Sequence, residues 1–313
     1  MLVAEERRSF HPQGEDPVAR RPADCAGSVI SNLLSEPLAP GLYLVATPIG
    51  NLADVTLRAI AVLARADVIY CEDTRHSAKL LRHYAIAGRM RPFHEHNEDR
   101  EIGQALAELE DGKRIAIISD AGTPLLSDPG FKLVRAAAAA GVGVFSIPGP
   151  SAALAALTAS GLPTDSFFFA GFLPSKPTAR RSRLGELSQI PGSVVFFEAP
   201  HRVRETLADM ADVLGDRSAV LARELTKMHE DILRGSLNAL AEATAGQAVK
   251  GEVVIVVGPE QVRSVSDDVL SARLLAALEL MSLKDAAKAL ADEFGVPKAR
   301  IYALGLKAKG QAP

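Results

Sequence analysis

After Pro40 the chain alternates short apolar runs with segments whose apolar residues recur every three or four positions, the two signatures of buried strands and amphipathic helices. GLYLVAT (41–47), DVIYCED (67–73), KRIAIISD (113–120) and VGVFSIPG (142–149) read as strands. Between them TLRAIAVLARA (56–66), SAKLLRHYAI (77–86), EIGQALAELEDG (101–112) and FKLVRAAAAAG (131–141) read as helices. The last two stop at Gly112 and Gly141, since glycine tolerates the backbone turn at a helix C-terminus. Strands alternating with helices predict parallel crossovers, hence a first α/β domain at 41–150. Ligands of such sheets sit at loops beyond the carboxyl ends of the strands.

The rhythm changes at Pro150. A helix at SAALAALTASG (151–161) precedes the strands FFFAGFL (167–173), SVVFFEAP (193–200), SAVLARELT (218–226), DILRGS (231–236) and GEVVIVVG (251–258), with further helices among them. Several connections are too short for a crossover and predict antiparallel pairing within a second α/β domain at 151–260. A polar linker follows, and 269–309 is helical in pattern. There Ser282 with Asp285 makes a capping-box start, Gly295 a stop, and Pro297 a first-turn proline for the next helix. Two helices on a tight turn suggest a helix-turn-helix; a small bundle that only packs or dimerises is the alternative.

Composition narrows the setting. The 313 residues suffice for about two domains, and 48% apolar residues support a real core. A formal charge of -3 gives no overall basic character, so nucleic-acid contact would have to come from local patches. The two cysteines, Cys25 and Cys71, form no CxxC or Cys/His cluster, which argues against a disulfide framework or structural zinc and for a reducing compartment. No apolar run reaches the roughly 18 residues of a membrane span, and the N-terminus lacks the apolar core of a signal peptide. A cytoplasmic protein with a polar, disordered leader over residues 1–40 is expected.

One loop, ISDAGTPLLSDPG (118–130), lies where a ligand would sit. Both aspartates are common turn formers. Asp128, just before a helix, reads that way. Asp120 ends an apolar strand, where its carboxylate can accept hydrogen bonds from ribose hydroxyls or an amino group, and Gly122 lets a ligand approach the backbone. The first strand runs into TPIGNLAD, which matches neither the P-loop nor the dinucleotide fingerprint. A phosphate-free, adenosine-type cofactor fits these loops better.

ATPIGNLADVTLRA (46–59), CEDTRHSAKLL (71–81), ISDAGTPLLSDPG, IPGPSAALAALTASGLP (147–163), GFLPSKP (171–177), FFEAPHR (196–202), RELTKMHE (223–230) and GEVVIVV (251–257) resemble, in that order, the tetrapyrrole methylase-like family. The likeness is to its RNA-methylating branch; it spans about 41–260, and the terminal helices resemble that branch's helical module. The leader has no counterpart. The resemblance implies two α/β domains with S-adenosylmethionine in the cleft between them, and a homodimer. It also implies methylation of a cytidine 2′-hydroxyl in the decoding region of small-subunit (16S) ribosomal RNA, naked or assembled. Carried over by position, the cofactor contacts are Ile49, Asp120 with Gly122 and Thr123, and Ser151 with Ala152, joined by Phe172 and Gly251 in the second domain. The family's other branch methylates corrin rings and usually has a Gly-rich first loop where this chain has ATPIGN, a departure that favours the RNA branch.

Methyl transfer from a sulfonium is an in-line displacement that needs no metal, and a base or cation at the weakly acidic ribose hydroxyl would assist it. Polar candidates cluster in CEDTRH (Glu72, Asp73, Arg75, His76), FHEHNE (His94, Glu95, His96, Asn97) and RELTKMHE (Arg223, Glu224, Lys227, Glu230). Asp73, Arg75 and His94 are expected to face the target ribose, one of them as base. His94 and His96 lack a third ligand at a familiar spacing, so no metal is expected. KPTARRSR supplies Lys176, Arg180, Arg181 and Arg183 as phosphate contacts, unless it is merely a solvated face; HRVR (201–204) is a weaker candidate. Two other functions stay open: a tetrapyrrole methylase, with no use for the basic stretch or terminal helices, and a non-catalytic nucleic-acid-binding protein that keeps a relic cleft.

Overall fold

The computed structural model describes residues 21–94, 96–246, 248–260 and 266–308. The expected leader meets a correction here: residues 1–20 lie outside the described residues, but Pro22–Ser35 form a helix, α1. No α1 residue is buried, and the helix is held from outside. Arg65 Nη1 donates to the Leu33 carbonyl at 3.2 Å. So weak an apolar face leaves little periodicity to read.

The first sheet is built from β1 (Gly41–Val45), α2 (Leu57–Arg65), β2 (Val68–Cys71), α3 (Thr74–His83), β3 (Met90–Pro92), α4 (Glu98–Glu110), β4 (Arg114–Ile118), α5 (Phe131–Ala139) and β5 (Val144–Ile147). Its strands are all parallel, in the order β3-β2-β4-β1-β5. Successive side chains of a strand face opposite ways. Thus Tyr43, Val45, Ile69 and Cys71 pack under α2 and α3, while Leu42, Tyr70, Ile115 and Ile117 pack under α4 and α5. β3 was not foreseen: it is three residues long and ends in Pro92, a residue confined to sheet edges because it cannot donate to a ladder. β1 and β4 are neighbours, yet β1 leads to a helix on one face and β4 to a helix on the other. That divergence opens a crevice at their carboxyl ends.

The second sheet comprises α6 (Ala152–Ser160), β6 (Phe167–Phe172), α7 (Pro177–Leu187), β7 (Ser193–Glu198), α8 (Val203–Leu214), β8 (Ser218–Arg223), β9 (Asp231–Ser236), α9 (Leu237–Ala243) and β10 (Val253–Val257). Its order is β6-β7-β10-β8-β9, with β6 and β7 parallel and the other pairs antiparallel, as the short connections predicted. The central strand β10, VVIVV, is buried throughout, consistent with cover on both faces. One cover is α7, α8 and α9; the other is α6 together with Ile49 and Leu225. Ile49 follows β1, so the first loop of one sheet is part of the other sheet's core.

Three helices close the chain: α10 (Asp267–Leu278), α11 (Leu283–Phe294) and α12 (Lys298–Ala308). Leu270, Leu274, Ala287, Leu290 and Ile301 form a core of their own. Ser282 caps α11 as expected, accepting from the Asp285 amide at 3.3 Å and donating to its carboxylate at 2.6 Å. Gly295 ends α11 in the left-handed conformation, φ 62°. Among the described residues no helix is long and apolar enough to cross a membrane.

Candidate functional site

The loops after β1 and β4 are locked together. Thr47 and Gly122 exchange both backbone hydrogen bonds, at 2.8 and 3.0 Å. The exchange needs φ 84° at residue 122, and a Cβ there would stand 3.2 Å from Ile49 Cγ2. Gly122 is therefore required, but for a different reason from the one expected. Its N–H and C=O are already spent on Thr47, so it makes room for Ile49 instead of admitting a ligand to its backbone. Thr123 Oγ1 donates to the Pro150 carbonyl at 3.1 Å. Ser151 Oγ accepts the Leu154 amide at 3.5 Å and starts α6.

These braces shape a cavity of about 370 Å³ between the two sheets. Small-molecule sites commonly fall in the range of roughly 300 to 1,000 Å³. Of the expected cofactor contacts, Ile49, Asp120, Ala152, Phe172 and Gly251 line it, whereas Gly122, Thr123 and Ser151 stand behind its wall. Ile49, Leu225, Phe172 and Phe197 give it an apolar side. Four carboxylates, Asp120, Asp128, Glu198 and Glu252, give it an acidic one.

The four acids differ in their partners. Glu198 accepts from Thr206 Oγ1 at 2.6 Å and lies 3.3 Å from Arg202 Nε. Glu252 lies 3.2 Å from Lys227 Nζ. Asp120 Oδ1 accepts the Asp73 amide at 3.2 Å. Asp128 is half-buried; burial pushes its carboxyl up to about 6, the Glu72 and Asp120 charges add to that, and a hydrogen bond from Ser119 opposes it. The reading of Asp128 as a turn former before a helix gives way here, because Gly130 occupies the N-cap of α5 and Asp128 faces the cavity.

A second cavity of about 330 Å³ adjoins the first and shares Ile49, Asp120, Ala121 and Glu252 with it. His76 and Lys79 of α3 line it, with Lys227. Lys227 lies on a strap after β8 that crosses the first loop: the Asn51 amide donates to Thr226 Oγ1 at 3.1 Å, and Lys227 Nζ also bonds Glu224 at 2.8 Å. Among the described residues, four of the five non-glycine residues with positive φ lie in this strap or in the loop after β4, namely Glu224, Thr226, Leu125 and Ser127. Such conformations cost energy and gather at functional sites.

The expected catalytic trio is not in either cavity. Asp73 caps α3, accepting the Arg75 amide at 2.8 Å and pairing with its guanidinium at 3.3 Å; those bonds hold its carboxyl below the usual range. Arg75 points to solvent. His94 donates its amide to Asn97 Oδ1 at 2.8 Å, and its Nδ1 is buried without a hydrogen-bond partner. Glu95 lies outside the described residues. Only Asp73 touches the site, through its amide on Asp120.

The basic stretch also needs correction. It is mostly helix α7, and its arginines are answered by carboxylates of α8 and of α7 itself. Arg180 is 2% exposed and bonds Asp209 at 2.6 Å, Arg181 bonds Asp209 and Asp212 at 2.9 Å each, and Arg183 bonds its helix neighbour Glu186 at 2.7 Å. Lys176 alone of the four has no ion pair among the described residues. Residues overlooked in the sequence, Asp128, Phe197, Glu198, Leu225 and Glu252, sit inside quoted motifs, but nothing local distinguishes them from core or surface.

The cleft lies between a parallel sheet and a mixed sheet. The family described as Tetrapyrrole (Corrin/Porphyrin) Methylases matches residues 41–241, and the RsmI C-terminal HTH domain matches residues 264–309. Diphthine synthase (TM-score 0.55, 14% identity, 70% of this chain and 90% of that one) and the cobalt precorrin-4 methyltransferase CbiF (0.52, 16%, 69% and 94%) share the fold. The chain is 48% identical to Ribosomal RNA small subunit methyltransferase I of Mesorhizobium japonicum, over 86% of this chain and 92% of the relative. The like-named protein of Pseudomonas aeruginosa is 46% identical over 87% and 98%, respectively. The chain belongs to the tetrapyrrole methylase family and, within it, to the group of these ribosomal RNA small subunit methyltransferases.

Proposed function

We propose that the protein methylates the 2′-hydroxyl of a cytidine ribose in the decoding region of small-subunit (16S) ribosomal RNA, using S-adenosylmethionine. The relatives' names support the RNA class; the cytidine and its 2′-oxygen follow from the motif resemblance, as does a homodimer, while a cytoplasmic setting follows from the cysteine usage. The observation that carries the reading is the pair of adjoining cavities, one apolar and acidic, the other bordered by His76, Lys79 and Lys227.

The first cavity suits a cationic nucleoside without phosphate. Ile49, Phe172, Phe197 and Leu225 offer apolar cover, Asp120 and Glu252 offer acceptors for hydroxyl and ammonium groups, and no glycine-rich phosphate loop is present. S-adenosylmethionine supplies an electrophilic methyl group when bound. The chain's share is to hold the accepting hydroxyl in line with it, an effect that can be worth ~7 to 11 kcal/mol. His76 and Lys79 can meet phosphates at the second cavity.

The test is to incubate the protein with methyl-labelled S-adenosylmethionine and small ribosomal subunits, naked 16S RNA or a precorrin-type ring, then map the label. A cytidine 2′-oxygen is the expected site. Label on a corrin carbon alone would refute the proposal.

A further inference from the structure

The loop after β4 holds Asp128 in a way that turn-making does not explain. Leu125 and Ser127 are both left-handed, at φ 72° and 69°, so two unfavourable backbone conformations immediately precede Asp128, which lines the cavity. The side chain caps no helix, since α5 starts from Gly130. Among the described residues no ion pair reaches it, while Glu198 and Glu252 across the cavity are engaged by Arg202 and Lys227. The groups that face it are Glu72 from the end of β2, and Asp120 and Ser119 from the end of β4. Beside it, Glu98 of α4 is occupied by the Gly130 amide at 3.1 Å and by Lys132.

We propose, on the reading above, that Asp128 is the general base that takes the proton of the methyl-accepting ribose hydroxyl. As the O–H bond breaks, its proton passes to the Asp128 carboxylate. The freed pair forms the oxygen–carbon bond to the methyl group, and the methyl–sulfur pair stays on sulfur, which leaves as a neutral thioether. A carboxylate that two neighbouring acids and burial make more basic is better matched to a weak acid than an ordinary aspartate, and carries no cation that would have to be displaced.

The experiment compares wild type with Asp128→Asn and Asp128→Ala in single-turnover methylation of 16S RNA across pH, alongside calorimetric binding of S-adenosylmethionine. The variants should lose about 10² to 10⁴ in rate, well beyond whatever cofactor affinity they lose through the cavity wall that Asp128 also lines. The wild-type rate should rise through a pH of about 6 and level off, a limb absent from the residual activity of the variants. A carbon NMR titration of aspartate carboxyls in the ligand-free wild type gives a readout independent of turnover; Asp128 should titrate near 6. An unimpaired variant, an equal loss of cofactor affinity, or titration of Asp128 in the ordinary range would each overturn the assignment. If the wild type labels no ribose, the function fails along with it; if it does and Asp128→Asn is as fast, only this inference falls.

Discussion

Arg180 donates from Nε to Asp209 Oδ2 at 2.6 Å, and Arg181 bonds the other oxygen of the same carboxylate at 2.9 Å. The Arg180 guanidinium is out of water because Asp209 neutralises it. Removing one member of a buried pair strands the other charge. Arg180→Ala should therefore lower folding stability by about 3 to 5 kcal/mol, read as a lower urea midpoint at constant slope. Arg183→Ala, which breaks only a solvent-exposed pair, should change it by less than ~1 kcal/mol. Equal midpoints would refute the contrast.

Gly122 and Gly112 separate strain from crowding. Both have positive φ, 84° and 80°, but a Cβ at 122 meets Ile49 whereas one at 112 meets nothing within 4 Å. Each alanine variant should lose about 1 to 2 kcal/mol of stability from the left-handed backbone. Only Gly122→Ala should also weaken S-adenosylmethionine binding, because it displaces a residue of the cavity wall. Calorimetric titration of both variants decides the matter.

Asp128 sets a pH dependence of folding. Its folded carboxyl titrates near 6 against 3.8 ordinarily, so the folded protein holds this proton more tightly than the unfolded chain does. The stabilisation is complete below 3.8 and is lost as pH rises through 6. Asp128→Asn, which cannot ionise, should gain on wild type across that window, by about 1 kcal/mol once solvent screening of a half-buried group is allowed for. Thermal melts at pH 4 and pH 8 test the sign; the same difference at both would contradict it.

Ala152 opens α6 and lines the larger cavity. Ala152→Leu should fill part of that space and weaken S-adenosylmethionine binding by about tenfold or more, equivalent to ~1.4 kcal/mol, with the melting temperature little changed. Undiminished affinity would show that the cofactor lies elsewhere.

The strands and helices of both sheets were legible because each buries one face at its own period. β3 and α1 were not, one being a three-residue edge strand and the other a helix without buried residues. The site divides the same way. Ile49, Asp120 and Ala152 stand next to element ends that the apolar pattern marks, and they do line the cavity.

The sequence by itself determined the period of each element, the loops at the carboxyl edge of the first sheet, and the absence of a phosphate cradle. Only the tertiary structure decided which charges are free. Arg180 meets an aspartate 29 residues away, supplied by a helix across the second sheet's outer layer, and its apparent place in a basic patch disappears. Asp128 looks like any turn residue until two neighbouring carboxylates and burial make it more basic. Local periodicity follows from a residue's own backbone neighbours, whereas charge, desolvation and reach depend on atoms that only folding brings within a few ångströms.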